Sequence, residues 1–131
     1  MLRSSTFLRL VLLIDALTCT ATGLMTMIGA AVLEQSLGLP ATLLRYAGFS
    51  LLPFAGFLLF LAARKQLSAS PIWAAILLNV LWTVDSFLIL VTGWVAPTQL
   101  GYGLVTAQAL GVALLAGLEY VGMRKSATAA V

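Results

Sequence analysis

The sequence predicts an all-α membrane protein, a bundle of four antiparallel transmembrane helices, on three observations. Of 131 residues, 62% are apolar and 8% charged, with a mean hydropathy of +1.10; so few charges cannot keep such a chain in water. The apolar residues form four stretches, about 7–33, 41–63, 72–95 and 99–123, each at or above the ~20 residues that cross a bilayer as helix. The connectors between them are short. Backbone groups in lipid must be satisfied within the segment, so an unclosed chain of this size spans as helix. One domain, 1–131, accommodates all four spans.

The first span begins behind Arg3 and Arg9, a pattern shared with signal peptides. Its apolar run continues well past Asp15, with no small-residue cleavage site, and it reads as a retained helix. Gly38 and Pro40 mark the turn into the second span, which carries Pro53 and Gly56 near its middle and is expected to kink there. The segment 64–70 and Pro71 introduce the third span, and Pro97 the fourth.

Orientation follows from the basic residues. Arg3, Arg9, Arg64, Lys65, Arg124 and Lys125 fall on one side of the membrane and Arg45 alone on the other, so both termini are expected to face the cytoplasm across an inner (plasma) membrane. Trp73, Trp94, Tyr102 and Tyr120 lie near span ends and suit interfacial belts. Glu34 and Arg45 are expected to form an exposed pair or to meet headgroups.

Single residue types exclude further classes. Histidine is absent, which removes the commonest zinc ligand, the usual haem ligand and the usual general base near neutral pH. Cys19, the one cysteine, has no partner for a disulfide or a CxxC motif. The sequence contains no GxxxxGK, GxGxxG or HExxH pattern. No catalytic residue, metal site or cofactor is therefore assigned. The basic residues sit at span ends rather than in a patch, which argues against nucleic acid.

The chain aligns weakly with itself. Leu13, Ile14 and Asp15 stand over Leu77, Leu78 and Asn79, and Phe60 to Lys65 over Tyr120 to Lys125, which suggests two related helical hairpins in parallel orientation. In the first span Asp15, Cys19, Thr22, Thr26 and Gly29 fall on one stripe, and Asn79, Thr83 and Ser86 continue the same pattern in the third.

The acids inside the spans carry the most information, because a mid-bilayer carboxylate costs roughly 2.5–3.5 kcal/mol on insertion scales. Asp85 lies about 15 Å from the outer end of its helix by residue count. It is expected to be the most buried acid and to pair with Gln108 at similar depth. Asp15 and Asn79 form a second candidate pair nearer the cytoplasm. Glu119, about a turn from the end of the fourth span, is expected at the membrane boundary. Gly103, Ala107 and Gly111 form a small-residue row suited to helix packing, within the bundle or against a second copy; Ala109, Ala113 and Gly117 form another.

The runs Pro40–Arg45, Leu51–Phe54, Asn79–Trp82, Gly93–Gly101 and Gln108–Arg124 resemble small four-span bacterial inner-membrane proteins. That resemblance implies an architecture and no activity. The chain departs from small multidrug-resistance transporters, which share its span number and a carboxylate in the first helix: Asp15 replaces Glu, and Asp85 and Gln108 have no counterpart to carry across. Three functional readings stand at this point. The first is a non-enzymatic protein acting through helix contacts, as an oligomer or as an accessory subunit of a larger membrane protein. The second is a small transporter or channel using Asp85, Gln108, Asp15 and Asn79. The third is a lipid-binding or lipid-modifying protein.

Overall fold

The computed structural model describes residues 2–3, 5–93, 95–125 and 127–128. Five helices follow one another among these residues: α1 (Thr6–Ile28), α2 (Ala30–Leu37), α3 (Ala41–Ala63), α4 (Ala69–Val91) and α5 (Gln99–Lys125). All but α2 are long and apolar enough to cross a membrane. Three two-residue strands, β1 (Leu2–Arg3), β2 (Gln66–Leu67) and β3 (Ala127–Thr128), pair antiparallel in the order β2-β1-β3. Leu2 lies opposite Leu67 on one side and Thr128 on the other. This small sheet ties both ends of the chain to the α3–α4 connection.

Local sequence explains where the helices begin and end. Ser5 caps α1, its hydroxyl accepting from the Leu8 N–H at 3.1 Å, a standard use of serine at this position. The first span does not run unbroken to Leu33 as its hydropathy implies. It breaks at Gly29, where φ −95° and ψ 17° turn the chain, while the Gly29 N–H still reaches Met25 O and the Leu33 N–H reaches Gly29 O, each at 2.9 Å. Hydropathy does not register such a break because the residues on both sides of Gly29 are equally apolar in character. Helix α2 ends at Gly38, which takes the left-handed conformation at φ 72°.

The Glu34 carboxylate accepts from the Ala41 N–H at 2.9 Å. It thus caps α3, where Pro40 supplies no side-chain oxygen; this bond stands where a pairing of Glu34 with Arg45 is one of the expectations. Helix α3 continues through Pro53. Helix α4 starts three residues earlier than the apolar run, with Pro71 in its first turn, where a missing N–H costs nothing. It ends at Val91, before Gly93 at φ 78°. Trp94, expected in an interfacial belt, lies outside the described residues.

The spans form two hairpins, α1 with α3 and α4 with α5, joined chiefly by α1 against α5. Glycines set the close approaches. A Cβ on Gly48 would meet Gly23 O and Thr26 Oγ1 at 2.5 Å, so α1 and α3 cross backbone to backbone. A Cβ on Gly122 would meet Leu8 Cα at 2.9 Å, so α1 and α5 are equally close at their other contact. At the opposite end of the bundle, Gly101 of α5 packs on the Leu37 carbonyl. There the Thr98 N–H bonds Leu37 O at 2.9 Å and the Thr98 hydroxyl bonds Ser36 O at 2.7 Å.

The hairpins also match in burial. Leu8, Val11, Leu12 and Asp15 of α1 are buried, and so are Ile72, Ala75, Ile76 and Asn79, the residues 64 positions on. Arg64 lies over the Phe60 ring at 5.4 Å, and Arg124 over the Tyr120 ring at 5.9 Å. These are corresponding pairs in the self-alignment.

The row Gly103, Ala107 and Gly111 is exposed, and a Cβ on Gly103 or Gly111 would meet nothing. Within the chain this row therefore packs no helix. Of the second row, Ala109 is buried, whereas Ala113 and Gly117 are exposed.

The Gly23–Gly48 crossing yields a direct test. Gly48→Ala is expected to destabilise the bundle by about 1–3 kcal/mol, the usual cost of overpacking. Gly56→Ala in the same helix, where a Cβ meets nothing, is expected to cause no loss. Thermal unfolding of the two variants in one detergent compares them.

Candidate functional site

A buried polar cluster joins α1, α4 and α5, about midway along α1 and α4 and toward the C-terminal end of α5. Asp15, Asn79 and Glu119 are 1%, 2% and 0% exposed. The Asn79 Nδ2 amide donates to Asp15 Oδ2 at 2.8 Å and to Glu119 Oε1 at 3.0 Å. Cys19, one turn along α1, donates its S–H to Asp15 Oδ1 at 3.5 Å. Each residue is placed by the phase of its helix. Asp15 belongs to the Leu8, Val11, Leu12, Ala16 face of α1, and Asn79 to the Ile72, Ala75, Ile76 face of α4. Glu119 shares the α5 face of Ala116, Gly122 and Met123.

The expected Asp15–Asn79 pair is therefore present as a hydrogen bond, and it links the two hairpins. Glu119 departs from expectation. It stands in the core rather than at the boundary, because the close approach of α1 at Gly122 covers the α5 face on which it lies. Glu119 Oε2 has no hydrogen-bond partner, although it is buried from solvent.

Four basic residues of the Gly122 end of the bundle have partners outside the cluster. Arg9 Nε donates to Ala62 O at 3.1 Å, and Lys125 lies over the Phe7 ring at 4.7 Å. Arg64 and Arg124 are stacked on their aromatic rings, and among the described residues amide and thiol donors are what meet Asp15 and Glu119.

A second polar group lies deeper along α4 and α5. Gln108 Oε1 accepts from the Trp82 indole N–H at 2.9 Å, and its amide donates to Ser86 Oγ at 2.9 Å and to Val105 O at 3.2 Å. These bonds replace the expected Asp85–Gln108 pair. Asp85 is exposed rather than the most buried acid. The reason is angular: at about 100° per residue, six residues beyond Asn79 bring Asp85 roughly 120° away from the face that Asn79, Thr83 and Ser86 turn inward.

The two polar groups open into one cavity. It has a volume of about 490 Å³ and lies among all four spans. Asp15, Asn79, Asp85 and Gln108, the four residues singled out by sequence, line it together with Trp82 and Phe54. Most of its remaining wall is apolar, from Ile14, Leu51, Leu78, Leu81, Val112 and Leu115. Apolar walls with a few convergent polar groups are the usual form of a small-molecule site, and the volume falls within the roughly 300–1,000 Å³ such sites occupy.

Asn79 offers the sharpest test of the cluster. Asn79→Leu removes the donor shared by two buried acids, and a loss of about 3 kcal/mol or more in unfolding free energy is expected. Thr83→Val, one turn away, removes a hydroxyl that bonds mainly its own helix at Asn79 O and is expected to change little. Steric trapping or denaturant unfolding in bicelles measures both. Compared with protein-family models, curated proteins and solved structures, the chain matches none, so its functional reading rests on this site alone.

Proposed function

We propose that this chain is a small multi-pass transporter of the inner (plasma) membrane, with both termini in the cytoplasm, that carries a small ligand through the cavity between its two hairpins. The observation that carries the reading is the convergence of Asp15, Asn79, Asp85 and Gln108 on one largely apolar cavity. In lipid-spanning helices, polar groups that face an internal space typically mark a substrate or ion path. The ligand is an apolar body with a cationic or hydrogen-bonding head. Trp82 and Phe54 offer it aromatic surface, and Asp85, on the exposed part of the lining, offers a charge. The inward orientation rests on the basic residues gathered at one end of the bundle.

A second reading, assembly with another copy or with a larger membrane protein, is favoured by the exposed row Gly103, Ala107 and Gly111, which lets another helix approach closely. The two readings are compatible, since of this row only Gly111 also lines the cavity. No feature of the described cluster calls for lipid modification.

Native mass spectrometry of the protein released gently from its own membrane tests the transport reading. A stoichiometric small-molecule adduct is expected on the wild-type chain. Ser50→Phe, which projects a ring from the cavity wall, is expected to remove the adduct at unchanged protein level, and Asp85→Asn to reduce it at least tenfold, or about 1.4 kcal/mol. A wild-type chain without an adduct, or one equally retained by both variants, contradicts the reading.

A further inference from the structure

The cluster at the inner end of the cavity has one donor too few. Asp15 Oδ2 and Glu119 Oε1 both accept from the same Asn79 nitrogen, at 2.8 and 3.0 Å, which sets the two carboxyl groups beside one another. Glu119 Oε2 is fully buried and receives no donor. If both acids were ionised, two negative charges would stand side by side in buried positions, with one amide and one thiol to hold them.

We infer that Asp15 and Glu119 form a proton-binding site, in which one proton is held between the two carboxyl groups. A single proton removes one of the two charges and gives Glu119 Oε2 its missing partner. The groups facing the site are few. Helix α1 supplies Asp15 and Cys19, α4 supplies Asn79, and α5 supplies Glu119; the buried residues of α3 carry no ionisable side chain. Arg9 is bonded to Ala62 O, and Asp85, the other acid of the cavity, is exposed. Asp15 also lines the cavity, so the held proton borders the space in which a ligand would sit. The proton site rests on the cluster alone; its coupling to a carried ligand rests in addition on the transport reading.

Infrared spectroscopy of the full chain in lipid vesicles tests the inference. Only four acidic side chains exist, and the other two, Glu34 and Asp85, are exposed. At neutral pH the wild-type spectrum is expected to contain the C=O stretch of one protonated carboxyl, assigned by ¹³C-labelling of Asp and Glu. Glu119→Gln and Asp15→Asn are each expected to abolish that band.

Folding is checked in parallel. The amide introduced by Glu119→Gln keeps an oxygen for Asn79 and presents an N–H where the proton stood, so its unfolding temperature is expected to stay within a few degrees of wild type; Glu119→Ala is expected to lower it clearly. Three results would overturn the inference: a wild-type spectrum with no protonated carboxyl, a band that survives either single substitution, or a Glu119→Gln chain as unstable as Glu119→Ala. An absent band whose carboxylate signals respond to exchanging sodium for potassium would identify a bound metal cation instead. The transport reading can fail separately, since it is judged by the adduct and not by this band.

Discussion

The constraint on which the rest of the structure depends is that two carboxyl groups are buried within a membrane-spanning bundle and must find donors there. Asp15 belongs to the first hairpin, Glu119 to the second, and Asn79 bonds both. The amide therefore does more than satisfy two acids: it fixes α4 against α1 at the level where the hairpins meet. The hydrophobic effect gives no such help, because lipid tails are as apolar as the leucines they would exchange with. Packing and polar bonds decide how the spans associate. Between Gly122 and the cluster both act together, with Gly122 on Leu8 bringing α1 and α5 together and the cluster locking α4 beside them.

Above that lock the hairpins separate. On α4 the face buried below Asn79 gives way to exposed residues, with Ser86 the one buried residue beyond it. The space left open is the cavity, walled by all four spans and floored by the cluster. Gln108 holds Trp82 and Ser86 along its α4–α5 side, so the indole ring is set by a side chain that itself belongs to the lining. Architecture and candidate function thus have one origin: the polar groups that determine how the hairpins meet also border the space between them.

Much of this was legible in the sequence, for identifiable reasons. Span number and approximate limits follow from hydropathy because lipid leaves the backbone few alternatives to helix. The Asp15–Asn79 bond followed from matching depth and from the self-alignment of the first and third spans. Glu119 was misplaced because counting residues from a span end gives depth and not direction. Its helical phase held the better signal, since Ala116, Gly122 and Met123 share its face and small residues there admit a neighbouring helix. Asp85 fails in the opposite sense: its depth is plausible, but its phase takes it off the buried face of α4 and onto the exposed lining of the cavity. The break at Gly29 and the three short strands have no signal in hydropathy, because each is a change of backbone geometry without a change of composition.

The central claim is that Asn79 and Glu119 act as one unit across two helices, and a double-mutant cycle tests it most directly. Unfolding free energies of Asn79→Ala, Glu119→Ala and the double variant, measured in the same bicelles, yield the coupling between the two sites. The account predicts strong non-additivity, with a coupling of about 0.5–3 kcal/mol, the range found for groups in one hydrogen-bond network. Additive effects would contradict it and would mean that the two residues are buried side by side without depending on each other.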